Sequence, residues 1–215
     1  MAKERLIGKD AVLTKVTFGT EVSTGSLNAK SFYKVTAKAG TGSIFGTLSV
    51  GDIFYTGNTS KTLGTGDKAM PITETPFLDS NGWEMTISSK EVDVTLAADG
   101  FEKFRLGKKS VEGSVTGIIV PSATLAAGGI VNRFLRLIKF ASDGSVTVNE
   151  IDSSPIFIKG VIQKDMTSGE TYAFVFAQIE LFGCKLGGKG DSAQEFESKF
   201  KLAGADPVFY TIEVA

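Results

Sequence analysis

Histidine is absent from all 215 residues, and cysteine occurs once, as Cys184. The first absence removes every mechanism that needs imidazole, including Ser-His-Asp and Cys-His nucleophilic catalysis, a histidine general base and His-ligated zinc. The second removes an internal disulfide and a cysteine-based structural zinc site. An excess of one charge is also missing. Lys+Arg number 23 against 24 Asp+Glu, a formal net charge of −1. Such a balance argues against a nucleic-acid binder held by overall charge, although a local basic patch stays open. No stretch of eighteen apolar residues exists, so no membrane-spanning helix is expected. Residues 1–10, MAKERLIGKD, are charged and lack the apolar stretch of a secretory signal. An outer-membrane barrel would need that signal. The expectation is a soluble chain, made in a cytoplasm, that engages no membrane.

What is present points to β structure. Hydrophobic residues make up 42% of the chain, enough at this length for one domain over 1–215 with its own core. Glycine is abundant at 25 and proline scarce at 5, while 16 Phe stand against one Trp. Valine and threonine recur, as in chains of many strands joined by tight turns. Alternation predicts strands over 11–18, 31–39, 43–55, 83–89, 91–97, 111–120, 146–148, 155–163, 171–182, 194–202 and 208–214. The segment 171–182 is apolar on both sides, which marks a central strand. Residues 57–76 are rich in Gly, Thr, Ser and Lys and have weak periodicity, which predicts a long loop of the kind that often carries function. One helix is predicted, over 122–140. Ser122 is its possible N-cap, Ile130, Val131, Phe134, Leu135, Leu137 and Ile138 form its apolar face, and Gly128-Gly129 weakens its middle. The fold class is therefore mainly β: a sandwich or partial barrel of about ten strands with one flanking α-helix.

Few residues could carry chemistry. Gly183–Gly190, GCKLGGKG, nearly matches the phosphate-binding pattern G-x-x-x-x-G-K-[ST], but Gly190 stands where the metal-binding hydroxyl belongs. That loop must also open a helix, whereas the following residues read as a charged strand. A Gly-rich hairpin loop explains the segment better. The pairs Glu91/Asp93 and Glu195/Glu197 are spaced i, i+2, which on a strand sets both acids on one face about 7 Å apart. That separation suits a glycosidase pair, yet alternating acids on strands mostly form a solvated face. Lys185 beside Cys184 could lower the thiol pKa; without histidine, a structural thiol is the simpler reading. Arg133, Arg136 and Lys139 form a basic strip in the last turns of the predicted helix. Salt bridges, including bridges between subunits, account for it better than phosphate binding. No catalytic constellation, cofactor or metal is called for, and the chain is not expected to be an enzyme.

The order of features over 83–140 resembles the major tail tube proteins of long-tailed bacteriophages. Glu91-Val92-Asp93-Val94-Thr95 corresponds to the family's "evDvT" strand and leads to the turn Asp99-Gly100-Phe101. Then come Gly107-Lys108-Lys109-Ser110-Val111-Glu112-Gly113-Ser114-Val115-Thr116-Gly117, similar to its "gSxxGsxsG" strand, and the single helix. Further on, a long strand ends in a Gly-containing loop, followed by Gln194-Glu195-Phe196-Glu197-Ser198-Lys199-Phe200 and a final strand. The likeness is best over 83–202. It implies a sandwich or partial barrel with a flanking helix, assembled as rings, usually hexamers, whose inner strands join into one large barrel. Stacked rings form the hollow tube through which the genome passes. Related folds build the inner tubes of contractile tails and of type VI secretion systems. The implied partners are other copies of the chain, the tape measure, tail terminator and tail tip proteins, and DNA that passes without tight binding. The implied location is the virion tail.

A lumen that lets DNA slide should bind phosphate weakly, because each neutralised phosphate adds affinity. Glu91, Asp93, Glu195 and Glu197 are the candidate lumen-facing acids. Arg133, Arg136 and Lys139, with Lys61 and Thr65 in the expected long loop, are the candidate contacts between subunits. Another virion β-protein, such as a capsid decoration or tail-tip component, would share this composition. A carbohydrate-binding or carbohydrate-cleaving sandwich would need Trp83, Tyr55 or Tyr172 as stacking platforms. A nucleotide-dependent enzyme would need the Gly183–Gly190 loop.

Overall fold

A computed structural model of the chain describes residues 13–76, 80–93, 104–119, 129–164, 171–188, 194–204 and 206–213. Two compact units divide the chain, one formed by Met1–Thr14 with Pro76–Ala215 and the other by Lys15–Thr75. Fourteen strands run through the described residues. They are β1 (Leu13–Phe18), β2 (Ser26–Leu27), β3 (Phe32–Ala37), β4 (Ile53–Tyr55), β5 (Lys61–Thr62), β6 (Lys68–Pro76), β7 (Ser80–Asp93), β8 (Phe104–Ile118), β9 (Leu137–Phe140), β10 (Val146–Asn149), β11 (Ile156–Lys164), β12 (Thr171–Gly187), β13 (Glu195–Leu202) and β14 (Val208–Glu213).

In the larger unit the strand order is β11-β12-β13-β8-β7, with β14 also on β12. Every one of these ladders is antiparallel. β12 is the central strand that its two-sided apolar pattern predicts. Its first half lies between β11 and β14, and its second half runs beside β13. One side of the sheet carries the core: Val115, Ile156, Ile158, Ala177, Ile179, Phe196 and Phe200, joined by Leu13 and Ile130. The sheet rolls around that core. Trp83 on β7, the last strand of the order, packs so close to Gly160 on β11, the first, that a Cβ there would lie 2.6 Å from the indole ring. No ladder joins β7 to β11 among the described residues, so the barrel stays open. On the far side of β12, Phe174 and Phe176 are buried. Phe176 meets Tyr210 edge to face, and the Lys159 ammonium sits 4.3 Å from the centre of the Phe174 ring. Ring quadrupoles attract such a cation, which helps to offset its desolvation.

In the smaller unit β4-β3-β6-β1 form the sheet, with a short β2-β5 pair beside it. Leu27, Tyr33, Val35, Phe45, Leu63 and Ala69 make its core. The buried Asp67 carboxylate ties the unit's loops together. It accepts hydrogen bonds from the Ala39 amide (2.7 Å), the Ser43 hydroxyl (2.7 Å) and the Ile44 amide (3.1 Å). Burial on its own pushes this carboxyl up. The donors from Ser43, Ala39, Ile44 and Gly64 outweigh that and hold it below the ordinary aspartate value.

The mainly β class, with ten strands in the largest sheet, agrees with the expectation of about ten strands and a partial barrel. Three local expectations are corrected. The expected flanking helix over 122–140 is not a helix in its described part. Val131–Arg133 is a single 3-10 turn, and Leu137–Phe140 is β9, paired with β10. Residues 120–128 lie outside the described residues. The helical periodicity misled because its apolar residues divide: Ile130 and Val131 enter the core, whereas Ile138 and Phe140 pair across the hairpin with Val148 and Val146. The expected loop over 57–76 contains β5 and all of β6. The one core residue of β6, Ala69, is wholly buried, and strand order there comes from pairing with β3, β1 and Val22 rather than from an apolar pattern. Residues 43–51 form successive turns, and only Ile53–Tyr55 of the expected 43–55 strand is extended.

Candidate functional site

The Gly183–Gly190 loop loses its phosphate reading first. β12 continues to Gly187, so most of the motif is a strand laddered to β13. Residues 189–193 lie outside the described residues, and the chain re-enters at Gln194 directly before a strand. No helix N-terminus faces the segment among the described residues, and an anion would need one. Cys184 lies opposite Ser198, whose hydroxyl donates to the Gly183 carbonyl at 3.0 Å. Burial pushes the thiol pKa up. Lys185 alternates to the opposite side of the strand and does not activate it.

The expected basic strip is dispersed. Arg133 is buried with only 5% of its side chain exposed, and its guanidinium pairs with Asp152 at 3.3 Å. It also donates to the carbonyls of Asp152 and Ser154. Burial lowers its pKa and Asp152 offsets part of that. Arg136 pairs with Glu150 at 3.0 Å on the surface. Lys139 is exposed on β9, opposite Thr147. Salt bridges therefore explain the two arginines, and both are made within the chain. Lys61 on β5 and Thr65 in the following turn are exposed.

Two of the three sugar-platform candidates are engaged in packing. Trp83 faces the core, Tyr55 tilts against Phe32 at 4.9 Å, and the Tyr172 side chain lies outside the described residues. Glu195 is exposed and Glu197 half-buried, and the register sets both on the side of β13 away from Phe196 and Phe200.

That face is the candidate site. Strand alternation and register assemble it on the side of β7, β8, β13 and β12 away from the core. β7 contributes Glu84, Thr86 and Ser88; β8 contributes Ser110, Glu112, Ser114 and Thr116. β13 contributes Glu195, Glu197, Lys199 and Lys201, and β12 contributes Glu180 and Lys185. Cross-strand partners knit it together. Ser114 donates to Glu84 at 3.1 Å, Ser88 and Ser110 share a hydrogen bond of 2.8 Å, and Lys201 pairs with Glu112 at 3.4 Å. Lys185 stands opposite Glu197 and Lys201 opposite Glu180. A bulge at Leu181/Gly183 leaves Phe182 half exposed, with the Lys201 ammonium 5.0 Å from its ring centre. Acids outnumber lysines on this face, but the lysines are interleaved with them, a pattern that single-strand alternation did not reveal.

Glu91 and Asp93 are further along β7. The register sets Glu91 opposite Leu106 and Asp93 opposite Phe104; their side chains lie outside the described residues. β13 pairs with β8 only over Glu112–Ile118. From Phe104 to Val111 the only partner of β8 among the described residues is β7, so the two form an arm beyond the rest of the sheet. Among the described residues no group of His, Cys, Asp and Glu could hold a metal ion.

No family model matches the chain. No curated protein matches it either. Several solved structures are similar to part of the chain, two of them from gene transfer agent particles. One is a chain in the tail of an empty gene transfer agent particle with C6 symmetry, 15% identical, covering 64% of this chain and 86% of that one, with a TM-score of 0.42. The other is a chain in the virion of a native gene transfer agent particle, 13% identical, covering 64% and 88%, with a TM-score of 0.38.

Proposed function

We propose that this chain is a structural virion protein, without enzymatic activity, that assembles with its own copies into stacked rings of a hollow phage tail tube. The observation that carries this reading is the polar face of β7, β8, β13 and β12. It is broad, solvated and backed by a continuous apolar core, and its acids exceed its lysines. Glu195 and Glu197 on it are the proposed lumen-facing acids, with Glu91 and Asp93 in the β7–β8 arm. Two of the three lysines on this face have carboxylates nearby: Lys201 is bonded to Glu112 and Lys185 stands opposite Glu197. DNA sliding past would find few cations to release its counterions, which keeps the affinity low.

The open edge of β7 and the arm it forms with β8 supply strand edges for ring closure or stacking. Lys61, Thr65 and Lys139 are exposed and remain proposed contacts between subunits. Hexameric rings, and contacts with tape measure, terminator and tip proteins, follow from the sequence resemblance. The proposed location is the virion tail, after synthesis in the host cytoplasm.

Negative-stain electron microscopy of concentrated protein, with light scattering on the same sample, tests the proposal. Stacked rings or hollow tubes are the expected result. A stable closed trimer that never stacks would overturn it in favour of a capsid decoration or tail-tip protein.

A further inference from the structure

The β9–β10 hairpin is a two-stranded sheet of its own, with no ladder to the ten-stranded sheet among the described residues. Its register sets Phe140 opposite Val146 and Ile138 opposite Val148, so four apolar side chains share one face. All four are exposed, Phe140 to 74% and Ile138 to 53%. Leu135 and Ile151, just outside the two strand ends, are also exposed. The turn between the strands is polar and locally specified. Asp143 accepts from the Ser145 amide at 2.9 Å, and Gly144 takes the positive φ that the turn requires. The apolar face is therefore a property of the strands and not of a misplaced loop.

The base of the hairpin is clamped. Asn132 donates to the Glu150 carbonyl at 3.1 Å, Arg136 pairs with Glu150, and the buried Arg133 holds Asp152 and Ser154. A two-stranded hairpin alone is marginal in water. Here the chain spends a buried guanidinium to hold one in place with its apolar side bare. Such preorganisation lowers the entropy lost when a surface docks.

We infer that this hairpin face is a self-association surface, buried against a second copy of the chain. The four residues of that face expose on the order of 400 Å² of apolar area, within the range of the largest patch on a monomer. A stable interface needs roughly 800 Å² per partner, so the patch would form the apolar centre of such a contact and the polar residues around it the rest. The net charge of −1 sets no repulsion between copies. The inference rests on the ring-forming reading only for what the contact builds; the contact itself stands on the patch.

The test compares the wild-type chain with a Phe140→Glu/Val146→Glu variant by light scattering and electron microscopy over a concentration series. Circular dichroism and thermal melting check that the variant folds. Association should weaken on the order of a hundredfold, as for loss of an interface anchor. In parallel, a photoreactive phenylalanine analogue at position 140 should join chain to chain, while the same group at exposed Val50 should not. If the wild type forms tubes and the variant forms them equally well, the hairpin inference falls and the tube reading stands. If the wild type forms a closed dimer that the variant abolishes, the inference stands and the tube reading falls. A wild-type chain that stays monomeric throughout and gives no adduct at position 140 overturns the inference.

Discussion

The indole ring of Trp83 on β7 lies flush against Gly160 on β11, where an added Cβ would come within 2.6 Å of it. These two residues bring together the first and last strands of the larger unit's order without a ladder between them. Gly160→Ala should cost about 1–3 kcal/mol by overpacking. In a Trp83→Leu background the same change should cost markedly less, because the ring atoms it strikes are gone. Urea unfolding of the four chains in this cycle measures the difference.

Arg133 and Arg136 look equivalent in the sequence and differ in the fold. Arg133 is buried and holds Asp152 and Ser154, while Arg136 and Glu150 form an exposed pair. Arg133→Ala should destabilise by about 2–3 kcal/mol, since it strands hydrogen-bond acceptors and leaves a void. Arg136→Ala should change stability by no more than about 0.5 kcal/mol. Thermal denaturation distinguishes them, and equal effects would contradict the assigned burial.

Asp67 should make the smaller unit acid-sensitive. Its folded-state pKa lies below the ordinary value, so its contribution is complete at neutral pH and remains so down to the unfolded-state pKa. It is lost as pH falls through the folded-state value. Asp67→Asn should reproduce that loss at neutral pH. Oδ1 and Oδ2 both accept hydrogen bonds, and an amide can accept on only one side. A cost of about 2–3 kcal/mol is expected. Hydrogen exchange of residues 39–44 against pH reports it locally.

Cys184 should alkylate more slowly than a free thiol at neutral pH, because burial disfavours the thiolate. Lys185→Ala should leave that rate unchanged. A rate that falls sharply in this variant would show that the lysine does activate the sulfur.

The polar face should bind DNA weakly until its charge is reversed. Glu195→Lys/Glu197→Lys should raise affinity for duplex DNA and introduce a steep salt dependence, with each new phosphate contact adding to the slope. Filter binding across a salt series measures this. A wild-type chain that already binds tightly at physiological salt would contradict the lumen assignment.

Much of the β architecture is legible from local pattern. Alternation placed β3, β11, β13 and β14 close to their observed ends, together with the end of β1 and the start of β12, and Asp143-Gly144 marked its turn. The two-sided apolar character of β12 announced a central strand, and the absence of histidine left no imidazole-based mechanism open. Local pattern failed where pairing supplied the stability. β6 has few apolar residues and is a strand because its backbone groups meet β3 and Val22. Leu137–Phe140 has helical spacing and is a strand because β10 offers a ladder.

The candidate site followed the same division. That Glu195 and Glu197 share a solvated face could be read from a spacing of two. That Lys185 stands opposite Glu197, and that Glu112 bonds Lys201, depends on register between strands far apart in the chain. The burial of Arg133 and Lys159, and the contact of Trp83 with Gly160, likewise required the rolled sheet. Periodicity along one strand fixes which side a residue takes. Only long-range pairing decides what stands beside it.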